Sequence, residues 1–294
     1  LETCTDSTVP WWDSFTTALS IIAMWMLAHK YVEQWLVWLV VDVVSLWYLY
    51  LQRFIFHFFF VWTLCGNRLF RLFEVETINE FYLMKEYKLP IGCDVPETII
   101  LADGDFPSHP LALEWLRQCP YVVCCDGAAN TYIRSGRMPE AIVGDGDSLL
   151  PDIKERYASL IHSEAEQETN DLSKAFRFCL SQERKRITIM GATGKREDHT
   201  IGNVSLLADY MEQAEVSMVT DYGIFVPIRE DSMFESYIGQ QISVFNMNST
   251  ALSAEGLAYP LSVFTNWWQG TLNEALARHF IIRTEGKVLV FRVF

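Results

Sequence analysis

The chain has 294 residues, half of them hydrophobic and 14% aromatic, with a formal net charge of -14. That length allows two domains with cores of their own. The acidic balance excludes a nucleic-acid binder, which needs basic surface to displace counterions, but not a nucleotide bridged to acidic side chains by Mg²⁺.

The composition is uneven along the chain. Seven of the ten tryptophans (Trp11, Trp12, Trp25, Trp35, Trp38, Trp47, Trp62) fall in the first 62 residues, where charges are sparse. Ser14–Ala28 and Trp35–Leu51 are apolar runs, each near the length that crosses a bilayer and each with aromatic rings near its ends. Lys30, Glu33 and Gln34 separate them. No amphipathic stripe marks them as core helices, so the pattern predicts transmembrane-like helices. Asp42 is costly in lipid and is expected to face a partner helix or a cavity. No basic region precedes the first run and no small-residue cleavage site follows it, which argues against a secretory signal. The chain opens on Leu1 rather than Met, so its true start is expected upstream.

The stretch WWDSFTTALSIIAMWMLAHKYVEQWLVWLVVDVVSLWYLY, with its Trp35-x-x-Trp38 pair, resembles the C-terminal end of PnuC-type vitamin transporters, which carry nicotinamide riboside or thiamine. The match covers about two helices of a seven-helix fold, so transport by this chain alone is not expected. Gln52–Leu83 departs from that family. Codons for Gln52–Glu76 can be chosen so that the frame one nucleotide later reads KGLYFTSFLYGLCVVIACFGYLKW, a plausible final transporter helix. With CTG chosen for Leu83, the same frame meets a stop that overlaps the ATG of Met84. The expectation is a frameshift fusion at 1–83, with a separate chain beginning at Met84; a natural fusion with a third membrane helix, Phe54–Leu64, is the alternative.

From Glu97 to Ala208 strand-like and helix-like runs alternate: TIILADG, LALEWLRQ, YVVCCDG, EAIVGDGDS, NDLSKAFRFCLSQ and RITIMGATG. Short apolar runs separated by helices predict a mainly parallel sheet with flanking helices, in which ligands gather at the carboxyl ends of strands. After Met211 the runs EVSMVTD, GIFVPI, QQISVFNM and HFIIRTEG-KVLVFRVF predict an all-β sandwich with a terminal hairpin at Glu285–Gly286. The fold class is therefore α/β followed by a β-sandwich, with domains at 84–210 and 211–294. The seven cysteines show no CxxC spacing, and Cys124 and Cys125 sit inside an apolar run as core thiols. That predicts a reducing compartment and no zinc site.

The acids sit at the strand ends. Gly144-Asp145-Gly146-Asp147-Ser148 places two carboxylates two residues apart between glycines, a pattern able to converge on one hard cation. Alone it also fits an ordinary polar turn. Asp126-Gly127-Ala128-Ala129-Asn130 follows the preceding strand. Thr169-Asn170-Asp171, with Lys174 one turn on, opens a helix whose N-terminus suits a phosphate, Thr169 being a candidate N-cap. Gly191-Ala192-Thr193-Gly194-Lys195-Arg196-Glu197-Asp198-His199, with Asn203 one turn later, is not a Walker A loop, because Arg196 stands where Ser or Thr is required. Any one of these motifs is more often structural than catalytic; the ordered set reverses that balance.

The order DGAAN, GDxDS, TxDxxKA and GxxGxRxDHxxGN resembles the thiamine pyrophosphokinase family, from roughly Thr98 to Phe294. The resemblance implies a nucleotide-handling α/β domain, a thiamine-binding β-sandwich, a homodimer with sites at its interface, and Mg²⁺-ATP giving thiamine diphosphate and AMP. It implies that Asp145, Asp147 and Asp171 hold Mg²⁺ or orient substrates, that Asp126 and Asp198 complete the acidic cluster, that Lys195 and Arg196 face phosphates, and that Asn130 and Asn203 support the site. Gly256–Leu261 resembles the family's GLxxPL segment; Asn273 lies in a run where Leu272 replaces the usual serine, and Trp267 or Trp268 is placed to stack on thiamine. One aspartate, Asp147 or Asp171, is expected to accept the alcohol's proton. Residues 84–294 are then expected in the cytoplasm, with membrane contact only through the leader. Two competing readings are another Mg²⁺-dependent phosphotransferase and a transporter fused to a thiamine-sensing domain.

Overall fold

The computed structural model describes residues 10–29, 36–42, 84–90, 94–164, 166 and 168–294. The chain divides into two compact units, Leu1–Tyr82 and Leu83–Phe294.

In the first unit, α1 spans Pro10–Ala28 and a shorter helix, α2, spans 36–42. Among the described residues no helix is long and apolar enough to cross a membrane. Asp13 and the hydroxyl residues Ser14, Thr16, Thr17 and Ser20 dilute α1. Of the second predicted span, residues 43–51 lie outside the described residues, as does everything from 52 to 83. Asp42, expected to face a partner or cavity, is exposed. Ile21, Trp25, Leu27, Leu36 and Leu39 are exposed as well.

The second unit is built on a ten-stranded sheet. Its parallel part comprises β2 (Ile99–Leu101), β3 (Val122–Cys125), β4 (Ala141–Gly144), β5 (Ile161–Ser163), β6 (Arg186–Met190) and β7 (Glu215–Val219), in the order β7-β6-β2-β3-β4-β5. Strands β2, β3 and β4 are buried along their whole length, which is why they read as unbroken apolar runs. Ile99, Leu101, Val122, Cys124 and Ile142 pack on one face with α3 (Pro110–Gln118), α4 (Ala128–Arg134) and α5 (Pro151–Arg156). Ile100, Val123, Cys125 and Val143 pack on the other with α6 (Asp171–Ser181) and α7 (Glu197–Tyr210). Cys124 and Cys125 are core thiols on opposite faces, and burial pushes both far up from the ordinary thiol range.

Chain order leaves β2 in both directions, toward β3-β4-β5 on one side and β6-β7 on the other. The sheet therefore has a switch point between β2 and β6, where the loops after neighbouring strands part and leave a crevice.

The all-β part grows from the same sheet. β7, read from sequence as the start of the sandwich, pairs parallel with β6. β8 (Gly223–Ile228) then pairs antiparallel with β7, and β14 (Val288–Val293), β10 (Gln241–Asn246) and β12 (Asn273–Glu274) extend the sheet outward. A second sheet has the order β1-β9-β13-β11, from Lys85–Tyr87, Ser232–Glu235, His279–Thr284 and Leu252–Glu255. Val226, Val244 and Val290 meet Phe234, Phe280 and Ile282 in one core between the two layers.

The expected terminal hairpin does not form. β13 pairs with β9 and β11, while β14 pairs with β8 and β10, so the turn at Glu285–Gly286 crosses from one layer to the other. The turn is held by the 247–251 loop: Glu285 N–H donates to Ala251 O, Thr250 N–H to Glu285 O, and Lys287 N–H to Asn248 Oδ1 at 2.7 Å. Phe280 and Ile282 of β13 and Val288 and Val290 of β14 meet in one core from opposite layers, so each strand covers the other's layer instead of pairing with it.

Candidate active site

Every acid of the site is placed by an element end. Asp103 follows β2, Asp126 follows β3, and Asp145 and Asp147 follow β4. Asp171 is the first residue of α6, whose N-cap is Asn170 rather than Thr169: the Asn170 side chain accepts Ser173 N–H at 2.9 Å. Thr169 instead donates its hydroxyl to Glu166 at 2.7 Å and accepts from Arg177 at 3.1 Å. Phe176 stacks on Tyr210 at 3.9 Å between ring centroids, and Ser173 Oγ lies 2.7 Å from Tyr210 Oη. These contacts fix α6 against α7. Fully burying a ring such as Phe176 contributes roughly 2–3 kcal/mol.

These ends enclose a cleft of about 440 Å³ lined by Asp103, Asp126, Asp145, Thr169, Asn170, Asp171, Lys174, Lys195, Arg196, His199 and Asn203. Carboxylate oxygens of Asp126, Asp145 and Asp147 lie within 4.8 Å of one another. Asp171 stands beside them across Gly144, where an added Cβ would lie 2.8 Å from Asp126 Cβ and 3.4 Å from Asp171 Cγ. Only glycine lets the two carboxylates approach so closely at this position.

Asp126 is the most constrained of the set. It is 3% exposed and holds φ at +32°, outside the range ordinary side chains favour. Its Oδ2 accepts Ser148 N–H at 3.0 Å, while Oδ1 is buried without a partner. Burial first, then Asp147, Asp171 and Asp145, push its carboxyl up to about 6. A buried oxygen with no donor among several carboxylates fits a hard divalent cation, whose ligands are carboxylate oxygens. The ligand atoms of Asp126, Asp145 and Asp147 come close enough together that they could hold one.

Basic groups line the same cleft. Lys174 is 3% exposed, and its ammonium donates to Asp171 Oδ1 at 3.0 Å. Lys195 reaches Asp103 Oδ1 at 3.1 Å across the switch point. Arg196 grips Asp198 at 3.1 and 2.6 Å, and that bond holds the Asp198 carboxyl below its usual range. Asp198 does not line the cleft. The Lys195 loop lies against the loop after β2: Gly104 N–H donates to Gly191 O and Asp105 N–H to Thr193 O at 2.8 Å.

Two asparagines act as clamps. Asn130 donates to Ser148 O at 2.8 Å and accepts Leu150 N–H at 3.0 Å, tying the acidic loop to α4. Asn203 donates to Ala192 O at 2.9 Å and accepts from Asn170 at 3.1 Å, tying α7 to the start of α6. Trp267, Trp268 and Asn273 do not line this cleft. Trp268 is 72% exposed, Trp267 lies edge-on to Phe245, and buried Asn273 accepts Tyr259 N–H and donates to Tyr259 O.

Asp103, His199 and Thr200, to which the motifs assign no role, also line the cleft. Asp103 had the available signal, an acid before glycine at the end of an apolar run, as Asp126 and Asp145 have.

Residues 112–219 match the family model of the thiamin pyrophosphokinase catalytic domain, and residues 223–291 that of the thiamin pyrophosphokinase substrate-binding domain. Residues 1–75 match the nicotinamide mononucleotide transporter family. Among curated proteins, thiamine pyrophosphokinase 1 of Oryza sativa subsp. japonica is 30% identical over 129 residues, 35% of this chain and 49% of that protein. The chain thus spans about half the length of the curated kinases it matches. The nicotinamide riboside transporter PnuC of Escherichia coli is 50% identical over 36 residues, 12% of this chain and 15% of that protein. Thiamin pyrophosphokinase from Candida albicans has the same fold, with a TM-score of 0.60 at 18% identity over 72% of this chain and 93% of that one.

Proposed function

We propose that this chain, whose residues 112–219 and 223–291 belong to the thiamin pyrophosphokinase family, transfers a pyrophosphoryl group from ATP to the hydroxyl of thiamine, giving thiamine diphosphate and AMP. The observation that carries the reading is the meeting of Asp126, Asp145 and Asp147, with the orphaned Asp126 Oδ1 among them, at the edge of a cleft lined by Asp126, Asp145, Lys195 and Arg196.

Mg²⁺ held by these carboxylates would neutralise charge on the ATP phosphates. The remaining work falls to side chains of the chain itself. Lys195 and Arg196 leave Asp103 and Asp198 to meet phosphate oxygens, where fixed charge stabilises the charge that grows during transfer. Asp147 or Asp171 accepts the proton of the attacking hydroxyl. Asp171 is pre-oriented for this by Lys174, and Asp147 by the Ser148 hydroxyl, which donates to it at 2.9 Å. Asn130 and Asn203 keep the loops in register, so that the alcohol and the β-phosphorus stay in line.

The parallel sheet through β7 with its helices forms the nucleotide-binding part, and the strands from β8 onward together with β1 form the thiamine-binding part, acting in the cytoplasm as a homodimer. Exposed Trp268 and half-exposed Trp267 supply rings for thiamine at a site completed by a second copy. Residues 1–83 are a transporter-derived leader that touches a membrane only where it is expressed.

The test is product analysis with the full chain, ATP, Mg²⁺ and thiamine. AMP and thiamine diphosphate in equal amounts support the reading, whereas ADP points to simple phosphoryl transfer. Asp147→Asn should abolish AMP formation with the fold unchanged; near-normal turnover would remove Asp147 from the catalytic set.

A further inference from the structure

We propose that Glu86, Glu235 and His279 form a second cation site, for a divalent transition-metal ion such as Zn²⁺, on the outer face of the four-stranded sheet. The site is independent of the kinase reading.

Strand register brings the three side chains together. β1, β9 and β13 are neighbours, with Tyr87 opposite Phe234 and His279 opposite Glu235. Tyr87, Phe234 and Phe280 stack in a row at 4.9 and 5.0 Å, and Phe234 and Phe280 are fully buried. Because side chains alternate between faces, the adjacent residues Glu86, Glu235 and His279 all point the other way. Their ligand atoms lie within 4.8 Å of one another.

The buried Arg292 guanidinium is held by the Glu235 backbone carbonyl, not by its carboxylate. Among the described residues, none of the three side chains has an ion pair with a Lys or Arg. Among the described residues the one hydrogen bond to them is from Leu89 N–H to Glu235 Oε2 at 3.0 Å, which orients Glu235. Two carboxylates this close repel unless a positive charge lies between them.

An imidazole nitrogen with two carboxylate oxygens is a donor set for Zn²⁺ and its neighbours rather than for Mg²⁺, which takes oxygen ligands. Metal–ligand bonds of 2.0–2.2 Å in a tetrahedron put ligand atoms about 3.4 Å apart. The set therefore closes by side-chain rotation of Glu86 and His279, both exposed, with water completing the coordination.

The consequence lies in β1. It is a three-residue edge strand at the start of the second unit, far in sequence from the strands it joins. A metal shared by Glu86, Glu235 and His279 clips that strand to both neighbours and closes a long loop.

The experiment uses the full chain stripped with a chelator, then held in excess Mg²⁺ so that the carboxylate cleft is occupied. Zn²⁺ is titrated by calorimetry, with thermal unfolding and deuterium uptake at Lys85–Tyr87 followed in parallel. The expected result is one Zn²⁺ equivalent with Kd on the order of 10 µM or tighter. It raises Tm and slows uptake at Lys85–Tyr87, and it is lost in both Glu86→Gln and His279→Asn. Equal Zn²⁺ responses in the wild type and both variants would overturn the proposal. So would binding no tighter than about 1 mM. Should one variant fail to fold, the other still decides between these outcomes.

Discussion

The Lys174 ammonium lies 3.0 Å from Asp171 Oδ1 across one turn of α6, with 3% of the lysine exposed. Asp171 is the more open partner, its side chain 37% accessible to solvent, so the lysine has given up its water for this one carboxylate and the cleft. Asp145 and Glu166 add to the field that keeps the ammonium charged, and its pKa is raised despite burial. Lys174→Met keeps the length and apolar stem but leaves Asp171 without its counterion. Asp171 can rehydrate, so stability should change by no more than about 1 kcal/mol. AMP formation should fall about 10²-fold or more in kcat, since a carboxylate free to rotate no longer presents one oxygen to the substrate. Steady-state kinetics beside thermal unfolding separate these two effects.

Asp126 gives the site a pH signature. Its folded carboxyl titrates at about 6, against 3.8 for an ordinary aspartate. The folded state therefore holds more protons than the unfolded chain between those values. Stability from this group is fully present below pH 3.8 and is lost as pH rises through about 6. The loss should be on the order of 1–2 kcal/mol, discounted for the solvent that reaches the cleft. Asp126→Asn should flatten this part of the profile and raise Tm at pH 7, while abolishing turnover. Unfolding curves at pH 5 and pH 8 without Mg²⁺ provide the check; a wild type no less stable at pH 8 than the Asn variant counts against it.

What was legible in the sequence, and what was not, follows from whether the signal is local. The strand ends bearing Asp126 and Asp145 were readable because fully buried parallel strands leave unbroken apolar runs that stop at an acid. Asp103 carries the same signature, but its role depends on Lys195, which reaches it across the switch point and is far from it in sequence. Asn170 displaced Thr169 as N-cap, a choice between adjacent polar residues that only the geometry decides. The Glu285–Gly286 turn misled for a related reason. Two alternating strands around a Glu-Gly pair read as a hairpin, yet their partners in other strands put them in different layers. The short edge strand β1 gave no pattern, since three residues are too few to show a period.

Gly144 sets the spacing of the acidic group, and that makes it testable without touching a charge. A methyl group there would meet Asp126 Cβ at 2.8 Å, and neither side can yield, because Asp126 is buried and fixed by Ser148 N–H. Gly144→Ala should cost about 1–3 kcal/mol in stability. It should also reduce divalent-cation affinity by pushing Asp126 away from Asp145 and Asp147. Mn²⁺ titration followed by electron paramagnetic resonance reads the affinity directly. Unchanged binding would mean that Asp126 is not part of the cation group.

Arg292 carries the last prediction, because it is a buried cation whose hydrogen bonds, among the described residues, go to backbone carbonyls. It is 2% exposed, and its guanidinium donates to Glu235 O at 2.8 Å, Lys88 O at 2.9 Å and Tyr87 O at 3.2 Å. Burial lowers its pKa to about 10, so it stays protonated at neutral pH. These bonds fasten the segment after β1 to β9 and β14, and Leu89 N–H adds a bond to Glu235. Arg292→Met would remove three donors and leave three carbonyls to find water or go unpaired, against which the relief of burying one charge less is only a partial offset. The expected loss is roughly 2–4 kcal/mol, or on the order of 5–10 °C in Tm. Deuterium uptake should rise first at Lys85–Tyr87 and leave the parallel strands protected. AMP formation at low temperature should be retained, since the cleft lies at the carboxyl ends of the strands and Arg292 does not line it. Loss of activity with the fold intact would instead couple this layer to the catalytic cleft.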